Sequence, residues 1–265
     1  MKSINNYLIL LFAVLLGSCT EVIEIDISDS EPQIVIEGSV GNNGDSSHIY
    51  ITKSVNIYET SQFPIVTSAL VILSDDLGNR DTIPETSPGL YSSTNFIGEI
   101  GRSYFLQVET EGKVLNSTSK IPAQVNFDSL LINRITDFGL GEIDSILIFE
   151  VIACFKDPVD EKNYYRFVEY VNGRRSNRIF ISDDRLTNGT NMRVTLRRFT
   201  EKYEAGDTVT FEMQCIDKPV YDYFNSFSNS SSSSAPANPY TNIEGSKLGY
   251  FSAHTVQRLS KVVVP

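Results

Sequence analysis

Ser103-Tyr104-Phe105-Leu106-Gln107-Val108-Glu109 places Tyr104, Leu106 and Val108 on one side of an extended chain and the other four residues on the opposite side. Successive side chains of a strand point to opposite faces, so this spacing predicts a strand with one buried face. Glu111-Gly112 then closes a tight hairpin, and Lys113 to Lys120 returns as its partner. Working outward, Gln33 to Val40, His48 to Ser54 and Ala69 to Ser74 are further β-branched or aromatic runs. They are parted by Gly41-Asn42-Asn43-Gly44-Asp45 and Leu77-Gly78-Asn79, where Gly and Asn accept positive φ at little cost. Roughly seven short strands at such spacing predict a β-sandwich over 33–122, closed by Pro122.

Residues 123–265 predict a second β-rich domain. Its strands are expected at Ser129 to Ile135, Ser145 to Lys156, Tyr164 to Val171, Arg178 to Ser182, Met192 to Phe199, Thr208 to Asp217 and Leu248 to Thr255. Asn172-Gly173 marks a hairpin. Pro219 to Phe227 breaks the alternation: a proline near a helix start, followed by Tyr221, Phe224 and Phe227, predicts one short helix. Ser228 to Pro239 is serine-rich and predicts a loop. The expected class is all-β.

The first 32 residues follow other rules. Lys2, the apolar run Tyr7 to Leu16, and Gly17-Ser18 form the three parts of a secretory signal over 1–18. The run falls short of the roughly 20 residues that a membrane-spanning helix needs. Leu16-Gly17-Ser18-Cys19 resembles a bacterial lipobox, in which the Cys19 thiol receives a lipid before cleavage. Each buried methylene contributes ~0.8 kcal/mol, so two or more chains hold a protein stably at a membrane. Residues 19–32 read as an acidic tether carrying Glu21, Glu24, Asp26, Asp29 and Glu31.

The chain has a formal net charge of −11, which argues against general nucleic-acid binding, since that depends on neutralising phosphates. Acidity is uneven. Thr20 to Pro122 holds 15 acids and 5 bases, whereas Arg166 to Lys202 holds nine bases against Glu169, Asp183, Asp184 and Glu201. Arg174, Arg175, Arg197 and Arg198 are therefore candidates for a basic face toward an anionic ligand or acidic partner; solvated strand faces are the plainer alternative. Tyr221, Tyr223, Phe224, Phe227, Tyr240, Tyr250 and Phe251 bracket the serine-rich run. Tyr221 and Tyr240 join the candidate surface if these rings are exposed, because aromatics give large contact area at low entropy cost.

Signs of catalysis are sparse. The histidines, His48 beside a turn and His254 near a strand end, are each expected to be a surface or edge residue rather than a catalyst. No GxSxG elbow, HExxH helix or phosphate-binding loop occurs. Asp75-Asp76 and Asp183-Asp184 lack calcium-loop spacing and read as acidic turns. Cys154 and Cys215 lack CxxC spacing, and either a disulfide or two separate buried thiols fits them. The expectation is a protein that is not an enzyme and holds neither metal nor cofactor.

Ala69 to Asn79, Gly89-Leu90-Tyr91 and Gly101-Arg102-Ser103-Tyr104 resemble the transthyretin- or carboxypeptidase-regulatory-like sandwiches common on bacterial surfaces, so the first domain is expected to be an Ig/transthyretin-like β-sandwich. With the lipid cysteine, these pieces fall in order with Ile34-Val35-Ile36-Glu37-Gly38, Asp157-Pro158, Asn163-Tyr164-Tyr165, Asp183-Asp184, Asn242-Ile243-Glu244-Gly245 and Leu248-Gly249-Tyr250-Phe251. Together they resemble a domain-of-unknown-function family, DUF4249, of Bacteroidota outer-membrane lipoproteins. That resemblance implies an outer-membrane lipoprotein encoded beside a TonB-dependent receptor, as its accessory or ligand-capturing partner; display on the cell surface is expected, with the periplasmic face as the alternative. A surface adhesin or coat protein, and a surface hydrolase, are the alternatives.

Overall fold

The structure is a computed structural model that describes residues 31–45, 47–55, 62–137, 146–196, 202–232 and 238–264. The expected signal, Cys19 and the tether through Ser30 lie outside the described residues, as do Arg197 and Arg198. In chain order the first strands are β1 (Ile34–Gly41), β2 (Ser47–Lys53), β3 (Leu70–Asp75), β4 (Arg80–Thr82), β5 (Glu85–Ser87), β6 (Leu90–Ser93), β7 (Ser103–Thr110) and β8 (Lys113–Lys120). There follow β9 (Ser129–Asp137), β10 (Ile146–Lys156), β11 (Tyr164–Val171), β12 (Arg174–Arg175), β13 (Phe180–Asp183), β14 (Asn191–Leu196) and β15 (Thr208–Ile216). Helix α1 (Lys218–Ser232) precedes β16 (Ile243–Glu244), β17 (Leu248–His254) and β18 (Gln257–Val262). The class is all-β.

Two sandwiches result. One sheet runs β17-β1-β2-β6-β5 and its partner β16-β8-β7-β3-β4. Between them lies a core of Ile36, Val40, Ile49, Ile51, Leu73, Tyr91, Leu106, Val108 and Phe251. Tyr104, Leu106 and Val108 are buried as their alternation predicts, and Glu111-Gly112 turns with both residues at positive φ. The second sandwich pairs β14-β10-β9 with β12-β11-β15-β18, β13 lying against β11. Its core includes Val151, Phe155, Tyr165, Phe167, Phe211 and Met213. Cys154 and Cys215 are free thiols, Cys215 within this core.

The chain does not leave the first sandwich for good at Pro122. β17 returns to run parallel to β1, Ile36 opposite Gly249 and Gly38 opposite Phe251, and β16 pairs with β8. Phe251, Ala253 and Ile243 thereby enter the first core. Only glycine fits at 249. Its φ is +99°, and a Cβ there would sit 2.1 Å from the Ile36 carbonyl oxygen. From Pro32 onward the chain clusters as one compact unit.

Helix α1 extends through Ser232, past the expected end at Phe227 and into the run expected to be a loop. Serine is a tolerable helix former, and Val220, Tyr223 and Phe224 anchor the helix by burial. Asp217 caps its start, accepting from the Val220 amide at 3.1 Å. The same carboxylate accepts from the Ser119 hydroxyl at 2.8 Å and the Lys120 amide at 3.0 Å, tying α1 to β8. Burial pushes this carboxyl above its usual range despite those hydrogen bonds.

Candidate functional site

β17, β11 and β15 each carry apolar residues into a core on one face and polar residues on the other. On β17, Phe251 and Ala253 enter the first core, while Tyr250, Ser252 and His254 point the opposite way. On β11, Tyr165 and Phe167 enter the second core and Arg166, Val168 and Tyr170 oppose them. On β15, Phe211, Met213 and Cys215 are inward, with Glu212 and Gln214 behind. In a lone sandwich such second faces meet water. Here the two outward faces meet each other across a cleft of about 600 Å³, within the range typical of small-molecule sites.

The first sandwich contributes Glu37, Ser39, His48, Tyr50, Tyr250 and His254 to the walls, and the second contributes Arg166, Tyr170, Arg175, Glu212, Gln214 and Arg258. At one end Arg258 clamps the sandwiches, its Nε 2.8 Å from Glu212 and its Nη2 3.2 Å from Asp45 of the β1–β2 loop. At the other end the cleft opens beside a smaller hollow of about 270 Å³ bordered by Val168, Ile179, Tyr223, Phe224, Phe227 and Tyr250. The rings of Tyr223, Phe224 and Tyr250 meet there at centroid separations of 4.8 to 5.1 Å.

Arg166 stands where the two spaces join and lines both. It is 9% exposed, and its guanidinium lies 4.0 Å from the centre of the Phe224 ring. One N–H reaches the Gln214 amide oxygen at 3.4 Å. Gln214 in turn donates to Glu212 at 2.5 Å, so its carbonyl is held toward Arg166. Among the described residues no carboxylate comes within ion-pair distance of Arg166. A guanidinium has five N–H donors, and the Gln214 contact engages one of them.

His254 is buried, contrary to its expected place at an exposed strand end, because the second sandwich covers the face of β17 that carries it. Burial, with Arg166 nearby, holds its pKa down to about 4, so it is neutral near pH 7. Its Nδ1 lies 2.9 Å from the hydroxyl of Ser252, which is fully buried. His48 is exposed as expected.

Of the surface residues expected from sequence, the four that are described, Arg174, Arg175, Tyr221 and Tyr240, fall in different settings. Arg175 lines both spaces, and Arg174 beside it is exposed on the same short strand. Tyr221 is half-buried, its ring tilted against that of Tyr164 at 5.0 Å, and it donates to Asp183 at 2.9 Å; burial and that carboxylate push its hydroxyl up to about 12. Tyr240 is 74% exposed. Both acidic pairs serve turns: Asp75 accepts from the amides of Leu77 and Asn79, and Asp184 accepts from that of Asn163. Among the described residues no group of three or more acids, histidines or cysteines converges to hold a metal.

A family model described as Domain of unknown function (DUF4249) matches residues 20–260. The chain belongs to the DUF4249 family. A search of the curated proteins finds no match. The DUF4249 match takes in every residue lining the cleft, from Glu37 to Arg258. Arg166, Glu212, Gln214 and Tyr250 were not singled out as a set by sequence reading. The available signal was the presence of Arg, Glu and Gln in strands whose other face is mostly apolar, the buried Glu169 of β11 excepted.

Proposed function

We propose that this DUF4249 protein is a lipid-anchored lipoprotein of the outer-membrane surface that captures a small ligand in the cleft between its sandwiches. It would pass that ligand to a TonB-dependent receptor as the receptor's accessory. Arg166 carries the capture reading. Burying a cation without a carboxylate is costly, and a guanidinium directed into an open cleft recovers that cost when an acceptor arrives. Support for the location comes from sequence: an apolar run ending at Leu16-Gly17-Ser18-Cys19, then an acidic stretch.

Binding is favoured over hydrolysis by the state of His254. A base held to about 4 is weak at neutral pH, and its hydroxyl neighbour Ser252 is buried away from the cleft wall. The test is native mass spectrometry of the protein gently extracted from its own envelope. Ser39 borders the cleft, and Ser39→Trp should fill it, so a co-purifying small molecule is expected in the wild type and lost in the variant. Retention of that molecule by Ser39→Trp would overturn the cleft as the site. Co-purification of a barrel with wild type but not with Cys19→Ala would support the anchored-accessory role.

A further inference from the structure

We infer that the cleft takes a monoanionic carboxylate attached to an apolar, ring-sized body, the carboxylate on Arg166 and the body in the aromatic hollow beside it. This rests on the cleft being the ligand site. The geometry supplies both halves. Arg166 lies at the junction of the two spaces, its guanidinium carbon 4.0 Å over the centre of the Phe224 ring and most of its N–H donors unclaimed. The ring contact and the Gln214 hydrogen bond restrain the guanidinium, and a planar fork matches a carboxylate with two parallel hydrogen bonds. The adjoining hollow of about 270 Å³ has room for one ring and is walled by Tyr223, Phe224, Phe227 and Tyr250.

The acids of the cleft choose between anions. Glu37 borders both spaces, while Asp45 and Glu212 share the single cation Arg258. With Arg175 at the mouth, the charge available to a guest is small and local to Arg166. A dianion such as phosphate meets three nearby carboxylates with one well-placed guanidinium, whereas a single negative charge is matched by it. A neutral amide of the same shape would leave Arg166 buried against an uncharged oxygen.

Isothermal titration of the full-length protein in detergent with 3-phenylpropanoate, 3-phenylpropanamide, acetate and inorganic phosphate tests this on the wild type itself. The acid should bind ~10-fold or more tightly than its amide, as expected for a charge-assisted pair. Acetate should be weaker than 3-phenylpropanoate, and phosphate should not displace it. Arg166→Gln should abolish the preference for acid over amide. Phe227→Ala, at a helix position 42% exposed, should weaken 3-phenylpropanoate several-fold and leave acetate unchanged. Equal binding of acid and amide, displacement by phosphate, or no binding of the acid would overturn the inference. The cleft itself is judged separately. If Ser39→Trp blocks an amide that the wild type binds as well as the acid, the cleft stands and its carboxylate specificity falls. If Ser39→Trp leaves the acid bound, the cleft falls.

Discussion

One strand holds the contrast that organises this molecule. Phe251 and Ala253 of β17 sit in the dry core of the first sandwich, while Tyr250 and His254 border the polar cleft behind it. Both sets are nearly inaccessible to solvent, so burial alone does not tell them apart. Chemistry does: the core face is apolar and close-packed, and the cleft face carries hydrogen-bonding groups around a space. Apolar contacts can hold two sheets together without ionic help. A layer of Arg, Glu, Gln and His between sheets gives up that stability; under the capture proposal, its return is selective recognition.

The contrast breaks first at Phe251. Phe251→Ala should cost ~3–5 kcal/mol, the range for losing a buried aromatic ring, read as a fall in urea midpoint at constant slope. A loss below ~1 kcal/mol would mean that the core collapses around the gap.

Acid reveals the cleft face next. His254 is neutral when folded, with a pKa near 4, against an ordinary value of 6.5. Above pH 6.5 both folded and unfolded forms are neutral, and the residue contributes no pH dependence. As pH falls from 6.5 toward 4 the unfolded chain takes up the proton first, so stability drops, by on the order of 3 kcal/mol in full. His254→Gln should flatten that part of the curve; an unchanged slope would place the titration elsewhere.

Asp217→Ala removes a helix cap and two ties to β8, and should cost ~1–3 kcal/mol by thermal unfolding. The smallest effect is expected at the exposed side of the clamp. Asp45→Ala leaves the Arg258–Glu212 pair intact and should cost less than ~1 kcal/mol. Its apparent size should shrink further in high salt.

These regions were not equally legible in sequence. The sandwich face of β7 could be read from Tyr104, Leu106 and Val108 because one buried face leaves a period of two. Turns at Glu111-Gly112 and Asn172-Gly173 were legible because their backbone conformation restricts residue type. The return of β17 to β1 was not, since parallel pairing between distant segments leaves no local signature beyond Gly249. The cleft was hidden for a related reason. Arg166, Glu212 and His254 alternate with apolar residues just as solvent-facing residues would, and only the packing of one sandwich against the other distinguishes a cleft wall from a surface. The basic stretch around Arg174 and Arg175 pointed toward the right neighbourhood, but counting charge could not single out the buried Arg166.

The most direct test of the account is the unfolding free energy of Arg166→Met, measured with and without 3-phenylpropanoate. Methionine keeps apolar contact with Phe224 and removes the buried cation. If Arg166 is kept for binding, the variant should be as stable as the wild type or more so, and the added carboxylate should no longer raise its midpoint. A loss of ~3 kcal/mol or more without ligand, the cost of breaking a buried structural pair, would instead make Arg166 part of the scaffold and contradict the account.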